Sequence, residues 1–79
     1  MKQSVKVSLT AVLIKDEVAG GFTSYLSELP EVVAEGETQD DAVSNLMAAL
    51  SSVLEWKREE ASRDMDASYT TQPLELELA

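Results

Sequence analysis

Regular alternation of apolar and polar residues near the start of the chain constrains its fold most strongly. An apolar residue occupies every second position of this segment, namely Val5, Val7, Leu9, Ala11 and Leu13. Side chains two positions apart lie on the same face of a strand, so this pattern predicts one β-strand with a buried face. At the end of the segment, Val12 and Ile14 make the second face apolar as well. We therefore expect a helix to cover one face there and a neighbouring chain to cover the other.

A hairpin and a short third strand are predicted next. Gly20 and Gly21 can adopt the positive φ angles of a chain reversal, so residues 15–21 are expected to form a turn. Residues 22–27 then alternate as a second strand, antiparallel to the first, with Tyr25 on the face opposite to Phe22, Ser24 and Leu26. Residues 32–35 form a third short strand that ends at Gly36.

Residues 38–58 have the pattern of an amphipathic helix. Thr38 is a favourable N-cap because its hydroxyl can accept a hydrogen bond from the amide of Asp41. Apolar residues then recur at helical spacing for about 20 residues, namely Ala42, Val43, Leu46, Leu50, Val53 and Leu54. Residues 60–73 lack periodicity and are expected to be a linker. Residues 74–78 alternate Leu and Glu, which predicts a last strand with buried leucines and solvated glutamates.

The predicted order is β-β-β-α-β in a single domain of residues 1–79. We expect an α+β fold: a small, mainly antiparallel sheet with one long amphipathic helix packed on one face.

The acidic composition restricts the possible functions. The 79 residues include 15 acidic and 6 basic ones, giving a formal net charge of −9, with no histidine or cysteine. Zinc chemistry and histidine- or thiol-based catalysis are therefore disfavoured. Direct binding of nucleic acid is not expected, because phosphates require clustered Lys and Arg. The charge suits a basic protein partner, although it can also serve solubility alone. We find no membrane-spanning or signal-peptide pattern, so we expect a cytoplasmic protein.

No residue emerges as a catalytic, metal-binding or cofactor-binding candidate. Asp64 and Asp66 have a spacing seen in magnesium sites, but solvated charge in a linker explains them more simply. Trp56 lies at the margin of the apolar helix stripe, where packing on the sheet and contact with a partner are equally plausible. Tyr25 lies on the strand face opposite the predicted core, so we expect it to form an oligomer contact together with Val12 and Ile14.

The segment from Gly20 to Leu46 resembles the HicB-like antitoxin family. The resemblance rests on Gly20-Gly21-Phe22, Tyr25, Glu28-Leu29-Pro30, Glu35-Gly36, Thr38, Asp41-Ala42 and Asn45-Leu46. It implies a partial ribonuclease-H-like sheet and a small basic HicA-like ribonuclease toxin as partner. Two features depart from the family. Glu31 and Val32 replace the usual glycine and frequent cysteine, and no DNA-binding module follows before Ala79, so autorepression is not expected.

These observations lead to a non-enzymatic interaction protein as the predicted function. We expect a homo-dimer or homo-tetramer that binds a basic toxin through Glu28, Glu31 and Trp56, so that carboxylates compete with RNA phosphates. Nuclease activity is rejected because residues 5–14 contain no Asp or Glu to hold catalytic metals. Two alternatives remain open. One is a structural or adaptor oligomer that has lost its toxin, and the other is a small-molecule-binding module in the cleft between helix and sheet.

Overall fold

The computed structural model describes residues 3–78. Its elements are β1 (Gln3–Val7), β2 (Ala11–Lys15), β3 (Phe22–Leu26), β4 (Val33–Gly36), α1 (Gln39–Ser62) and β5 (Leu74–Leu78). The predicted α+β class, with a long helix packed on an antiparallel sheet, is confirmed.

Strands β2, β3 and β4 form an antiparallel sheet in that order. The turn between β2 and β3 is closed by Asp16, whose carboxylate accepts hydrogen bonds from the N–H groups of Val18 and Ala19 at 3.0 and 2.9 Å. Gly20 and Gly21 follow, each with φ of 81°, a conformation that side-chain-bearing residues rarely adopt. The predicted hairpin and its glycine turn are therefore confirmed.

Helix α1 begins as predicted and covers one face of this sheet. The Thr38 hydroxyl accepts a hydrogen bond from the Asp41 N–H at 3.1 Å, which satisfies one free amide of the first turn. The core consists of apolar side chains from the sheet, the loop before β4 and the helix, namely Leu26, Val32, Leu46 and Leu50. Ser24 is fully buried beside them, with its hydroxyl 3.2 Å from the Ala34 carbonyl and 3.0 Å from that of Ala42.

Gly36 allows the start of α1 to lie directly on β4. A Cβ atom at this position would be 2.3 Å from the Ala42 nitrogen and 2.7 Å from the Asp41 carbonyl carbon. Backbone atoms cannot give way as the end of a flexible side chain can. The close helix–sheet approach therefore requires glycine at this position.

The strands are grouped differently from the sequence prediction. The predicted first strand is two strands, β1 and β2, separated by residues 8–10. Strand β5 pairs with β1 in parallel, with Val5 opposite Leu76 and Val7 opposite Leu78, and these two strands form a separate sheet, here called the ribbon. Helix α1 is 24 residues long and includes residues 60–62 of the predicted linker.

The break between β1 and β2 coincides with a side-chain hydrogen bond to the backbone. The Glu28 carboxylate accepts a hydrogen bond from the Thr10 N–H at 2.8 Å, and the Thr10 carbonyl accepts one from the Ser27 N–H at 2.9 Å. At Thr10 the backbone therefore bonds to the loop after β3. Hydrophobic periodicity does not reveal such a bond, because it depends on a residue 18 positions away.

The ribbon makes the molecule elongated. The Cα radius of gyration is 15.8 Å, whereas a compact domain of this length has about 12 Å. The longest dimension is 55 Å, and α1 alone accounts for only about 36 Å of it at 1.5 Å per residue. Within residues 3–78, the two strands of the ribbon pack closely on each other but not on α1 or the three-stranded sheet.

Candidate protein-binding surfaces

An acidic cleft lies at the end of the sheet where the β2–β3 turn meets the end of β4. Its volume is about 620 Å³, and its lining includes the carboxylates of Asp16, Glu35 and Glu37 together with the half-buried ring of Phe22. The described residues that line it include no Lys or Arg. We refer to this region as the acidic cleft.

Backbone geometry keeps negative charge in the acidic cleft. The N–H groups of Ala19 and Val18 lower the pKa of Asp16, because they bond to the ionised carboxylate. Asp40 and Asp41 add two exposed carboxylates in the adjacent first turn of α1. A concave surface with this charge attracts Lys and Arg side chains, and the Phe22 ring offers a face or edge for them to contact. Sequence analysis did not single out this cleft, because its lining acids come from two separate segments, at residue 16 and at residues 35–37.

Glu28 and Glu31, predicted to bind a partner, lie near the other end of β3. Glu28 is bonded to the Thr10 N–H, which lowers the pKa of its carboxyl group. Glu31 forms an ion pair with Lys57, with 2.9 Å between Oε2 and Nζ, and the hydrogen bond and charge of Lys57 lower the Glu31 pKa. Both carboxylates therefore have partners within the chain while remaining exposed. Their role in binding remains a prediction.

Trp56 is 59% exposed on α1, next to Lys57. Trp56 therefore does not pack in the helix–sheet core, which was one of its two predicted roles. The ion pair between Glu31 and Lys57 links Glu31 to the helix segment that carries Trp56. Glu28 is bonded to Thr10 and is not part of this link. The indole ring is available to a partner molecule.

Tyr25, Val12 and Ile14, the predicted oligomer contact, lie on the face of the three-stranded sheet opposite α1. Tyr25 is paired with Val12 on one side and with Val33 on the other. Ile14 is 55% exposed, and Val33 is similarly exposed. Apolar side chains therefore share this uncovered sheet face, as the sequence predicts.

A second apolar surface lies where α1, the edge of the three-stranded sheet and the end of β5 border one opening. This open groove of about 370 Å³ is here called the slot. Its lining comes from the helix (Val43, Leu46, Met47 and Leu50), from the β2–β3 side of the sheet (Leu9, Ala11 and Leu26) and from the ribbon (Leu78). The leucines of β5 were expected to be buried, but Leu74 is 67% exposed and Leu76 and Leu78 are 42% exposed. Their alternation predicted the strand correctly. Periodicity does not distinguish burial within one chain from burial by another.

Metal and membrane features can be assessed for the described residues. Across residues 3–78, no group of three or more His, Cys, Asp or Glu side chains is arranged to hold a metal ion. Asp66 instead accepts a hydrogen bond from the Ser68 N–H at 2.8 Å, which gives it a role in a local turn. Helix α1 does not combine the length and apolar character needed to cross a membrane.

No protein-family model matches this chain, and neither a curated protein nor a solved structure is significantly similar to it.

Proposed function

We propose that this chain is a HicB-like antitoxin-type binding protein that neutralises a small, basic, mRNA-cleaving toxin by protein–protein contact. The observation that carries the proposal is the acidic cleft, where Asp16, Glu35 and Glu37 line one concavity without a basic side chain among its described residues. The resemblance of residues 20–46 to that family supports the same partner.

The mechanism is competition between carboxylates and RNA phosphates for the same cationic side chains. A ribonuclease without metal cofactors holds RNA by Lys and Arg, and these residues are attracted to a complementary negative surface. The acidic cleft receives one cationic side chain or a small cluster of them. The bulk of the bound domain then blocks access of RNA to the toxin.

Glu31 and Trp56 supply a second contact in this mechanism. Glu31 can release Lys57 and bind a cationic side chain of the partner at little cost in free energy, because an exposed ion pair contributes only about 0–1 kcal/mol. The exposed indole of Trp56 adds apolar area beside it. Glu28 supports this contact indirectly, because its bond to Thr10 holds the loop that carries Glu31.

The first test is a tagged pull-down from the native cell, followed by mass spectrometry. A small basic protein that is released by salt and is toxic when expressed alone supports the proposal. An eluate that contains only this chain contradicts it.

The second test uses charge reversal to determine whether the acidic cleft is the surface that binds the partner. The double variant Glu35→Lys/Glu37→Lys is compared with Glu55→Lys/Glu59→Lys, which makes the same change in net charge on an exposed face of α1. Calorimetric titration with the captured partner should show a loss of at least about tenfold in affinity for the cleft variant only, equivalent to 1.4 kcal/mol. The salt dependence of binding should also become weaker for that variant. Equal losses in both variants would show that net charge acts without the cleft.

The alternative function is a structural or adaptor oligomer of the same fold without a toxin. The exposed leucines of the ribbon supply the self-association surface that this alternative requires. The same pull-down separates the two functions, since an adaptor without a toxin yields no small basic protein.

A further inference from the structure

The described fold exposes more surface than a monomer of its size should. The accessible surface is 6196 Å², whereas a folded monomer of 8.6 kDa exposes about 4,700 Å². The excess of about 1,500 Å² per chain exceeds the roughly 800 Å² per partner that a standard protein interface buries. A chain with this excess has enough uncovered area for a permanent interface.

The ribbon is the part of the fold that most needs such an interface. An isolated two-stranded sheet is marginally stable in water, and parallel pairs are slightly weaker than antiparallel ones. Parallel strands are normally covered on both faces. Here β5 is exposed along its whole length, and none of the other elements described for residues 3–78 packs closely on the ribbon.

One face of the ribbon is apolar and its other face is charged. The pairing of β1 with β5 places valines and leucines together on one face, namely Val5, Val7, Leu74, Leu76 and Leu78. Lys6 lies opposite Glu77 on the other face, with Glu75 two residues away. Water can solvate that charged face, so only the leucine face requires a protein partner.

The helix side of the slot has a matching apolar stripe. Val43, Met47, Leu50 and Leu54 recur at intervals of four, three and four residues, so they lie along one line of α1. Met47 and Leu54 are exposed, whereas Leu50 also contributes to the core. Leu78 shares the slot with the first three of these residues, so the stripe and the leucine face border the same opening.

We propose that a second copy of this chain fills the slot, forming a twofold dimer in which the leucine faces and α1 stripes of both copies are buried together. The charge distribution around the slot favours a second copy of this chain over the basic partner of the proposed function. The residues that line the slot carry no ionisable side chain, so the slot offers no carboxylate to a Lys- or Arg-rich protein. Two copies with a net charge of −9 each also repel least when they meet on an uncharged surface.

A second copy of the chain would also keep the apolar face of the ribbon buried permanently. Interfaces on which folding depends are large and apolar, and homodimers form most of them. The proposed interface is separate from the sheet face that carries Tyr25, Val12 and Ile14. A dimer at the slot is expected for an antitoxin and for an adaptor alike. The oligomeric state therefore tests the interface, whereas capture of a basic partner tests the proposed function, and either can fail without the other.

The first experiment is sedimentation equilibrium of the purified chain alone, at 0.15 and 0.5 M NaCl. We expect a particle of twice the 8.6 kDa chain mass, with a dissociation constant that is equal or lower at the higher salt concentration, because salt screens repulsion between the acidic copies. A monomer at all concentrations up to about 100 μM would overturn the proposal.

Three single substitutions locate the interface. Leu76→Lys should raise the dimer dissociation constant by at least about 30-fold, because it places an unpaired charge in the apolar interface. Val18→Lys is the matched control, since Val18 is 98% exposed in the turn and outside the slot. Ile14→Lys tests the uncovered sheet face. Dissociation by Ile14→Lys with an intact dimer in Leu76→Lys would overturn the proposal.

An experiment on the unmodified chain covers the case in which Leu76→Lys fails to fold. A dimer sample mixed from ¹³C-labelled and unlabelled chains reports NMR contacts between copies alone. We expect contacts that connect the leucine methyl groups of β5 with Val43 and Met47. Contacts confined to Val12, Ile14 and Val33 would place the interface on the other sheet face and refute the slot.

Discussion

Substitution of Gly36 by Ala tests how closely α1 lies on the sheet. The added methyl carbon would be 2.3 Å from the Ala42 nitrogen, and the other two close atoms, at 2.7 and 2.8 Å, are also backbone atoms. To reach an ordinary carbon–nitrogen contact of about 3.4 Å, the helix start must move by about 1 Å. The backbone angles of Gly36 need no glycine, because its φ is not positive. The cost is therefore steric.

The expected loss is a large share of the total stability. Overpacking of this kind costs about 1–3 kcal/mol, against a free energy of unfolding of about 4–12 kcal/mol for a domain of this length. Restriction of the unfolded chain by Ala returns about 0.4–1 kcal/mol. Three backbone atoms would lie within 2.8 Å of the added carbon, so the upper half of the overpacking range, about 2–3 kcal/mol, applies. The net loss of about 1–2.6 kcal/mol lowers the melting temperature by about 4–21 °C, at 4–8 °C per kcal/mol.

Urea and thermal unfolding followed by circular dichroism measure this loss, with protein concentration held fixed because dimerisation affects both transitions. Gly20→Ala is the matched control: a Cβ there would meet no atom within 4 Å, so only its positive φ of 81° opposes Ala. That strain is about 1–2 kcal/mol. Wild-type stability of Gly36→Ala would refute the close helix–sheet contact.

Three further predictions follow from other contacts. Ser24→Ala removes a buried hydroxyl that bonds β4 and α1, so we expect a loss of about 1 kcal/mol in urea unfolding, with no change for the exposed Ser51→Ala. Asp16→Asn should destabilise the fold at pH 7. The pKa of Asp16 is lowered from its ordinary value of 3.8, so the charged carboxylate stabilises the turn above that pH. The difference from wild type should shrink below that pH and vanish only once the pH falls below the folded pKa. Trp56→Ala should leave the unfolding free energy within about 0.5 kcal/mol of wild type but weaken capture of the basic partner; unchanged capture would exclude an indole contact.

The parts of the fold that sequence reasoning predicted depend on local rules. The Thr38 cap, the turn at Gly20-Gly21 and the strand at residues 74–78 each follow from side chains within a few residues. The buried face of β3 was also predicted, and the structure buries Ser24 and Leu26 there. Backbone conformation and hydrophobic period are both local properties. A single sequence therefore contains enough information for them.

The parts that were not predicted depend on distant residues. The hydrogen bond at the break between β1 and β2 joins Thr10 to Glu28, and the acidic cleft brings Asp16 together with Glu35 and Glu37. The predicted site residues illustrate the same limit of sequence patterns. Glu28 and Glu31 were predicted to bind a partner, and the fold also gives each of them a partner within the chain. Pairing across 18 or 26 positions leaves no periodic signal in the sequence.

The two proposed surfaces use different physical forces, which explains why one small chain can carry both. The acidic cleft attracts cations over several ångströms, and salt weakens that attraction. The slot works by burial of apolar area, which salt does not screen. Because β3 separates Phe22 in the cleft from Leu26 in the slot, the two surfaces lie at opposite ends of one strand. The proposed dimer at the slot therefore leaves the acidic clefts of both copies uncovered for the proposed basic partner.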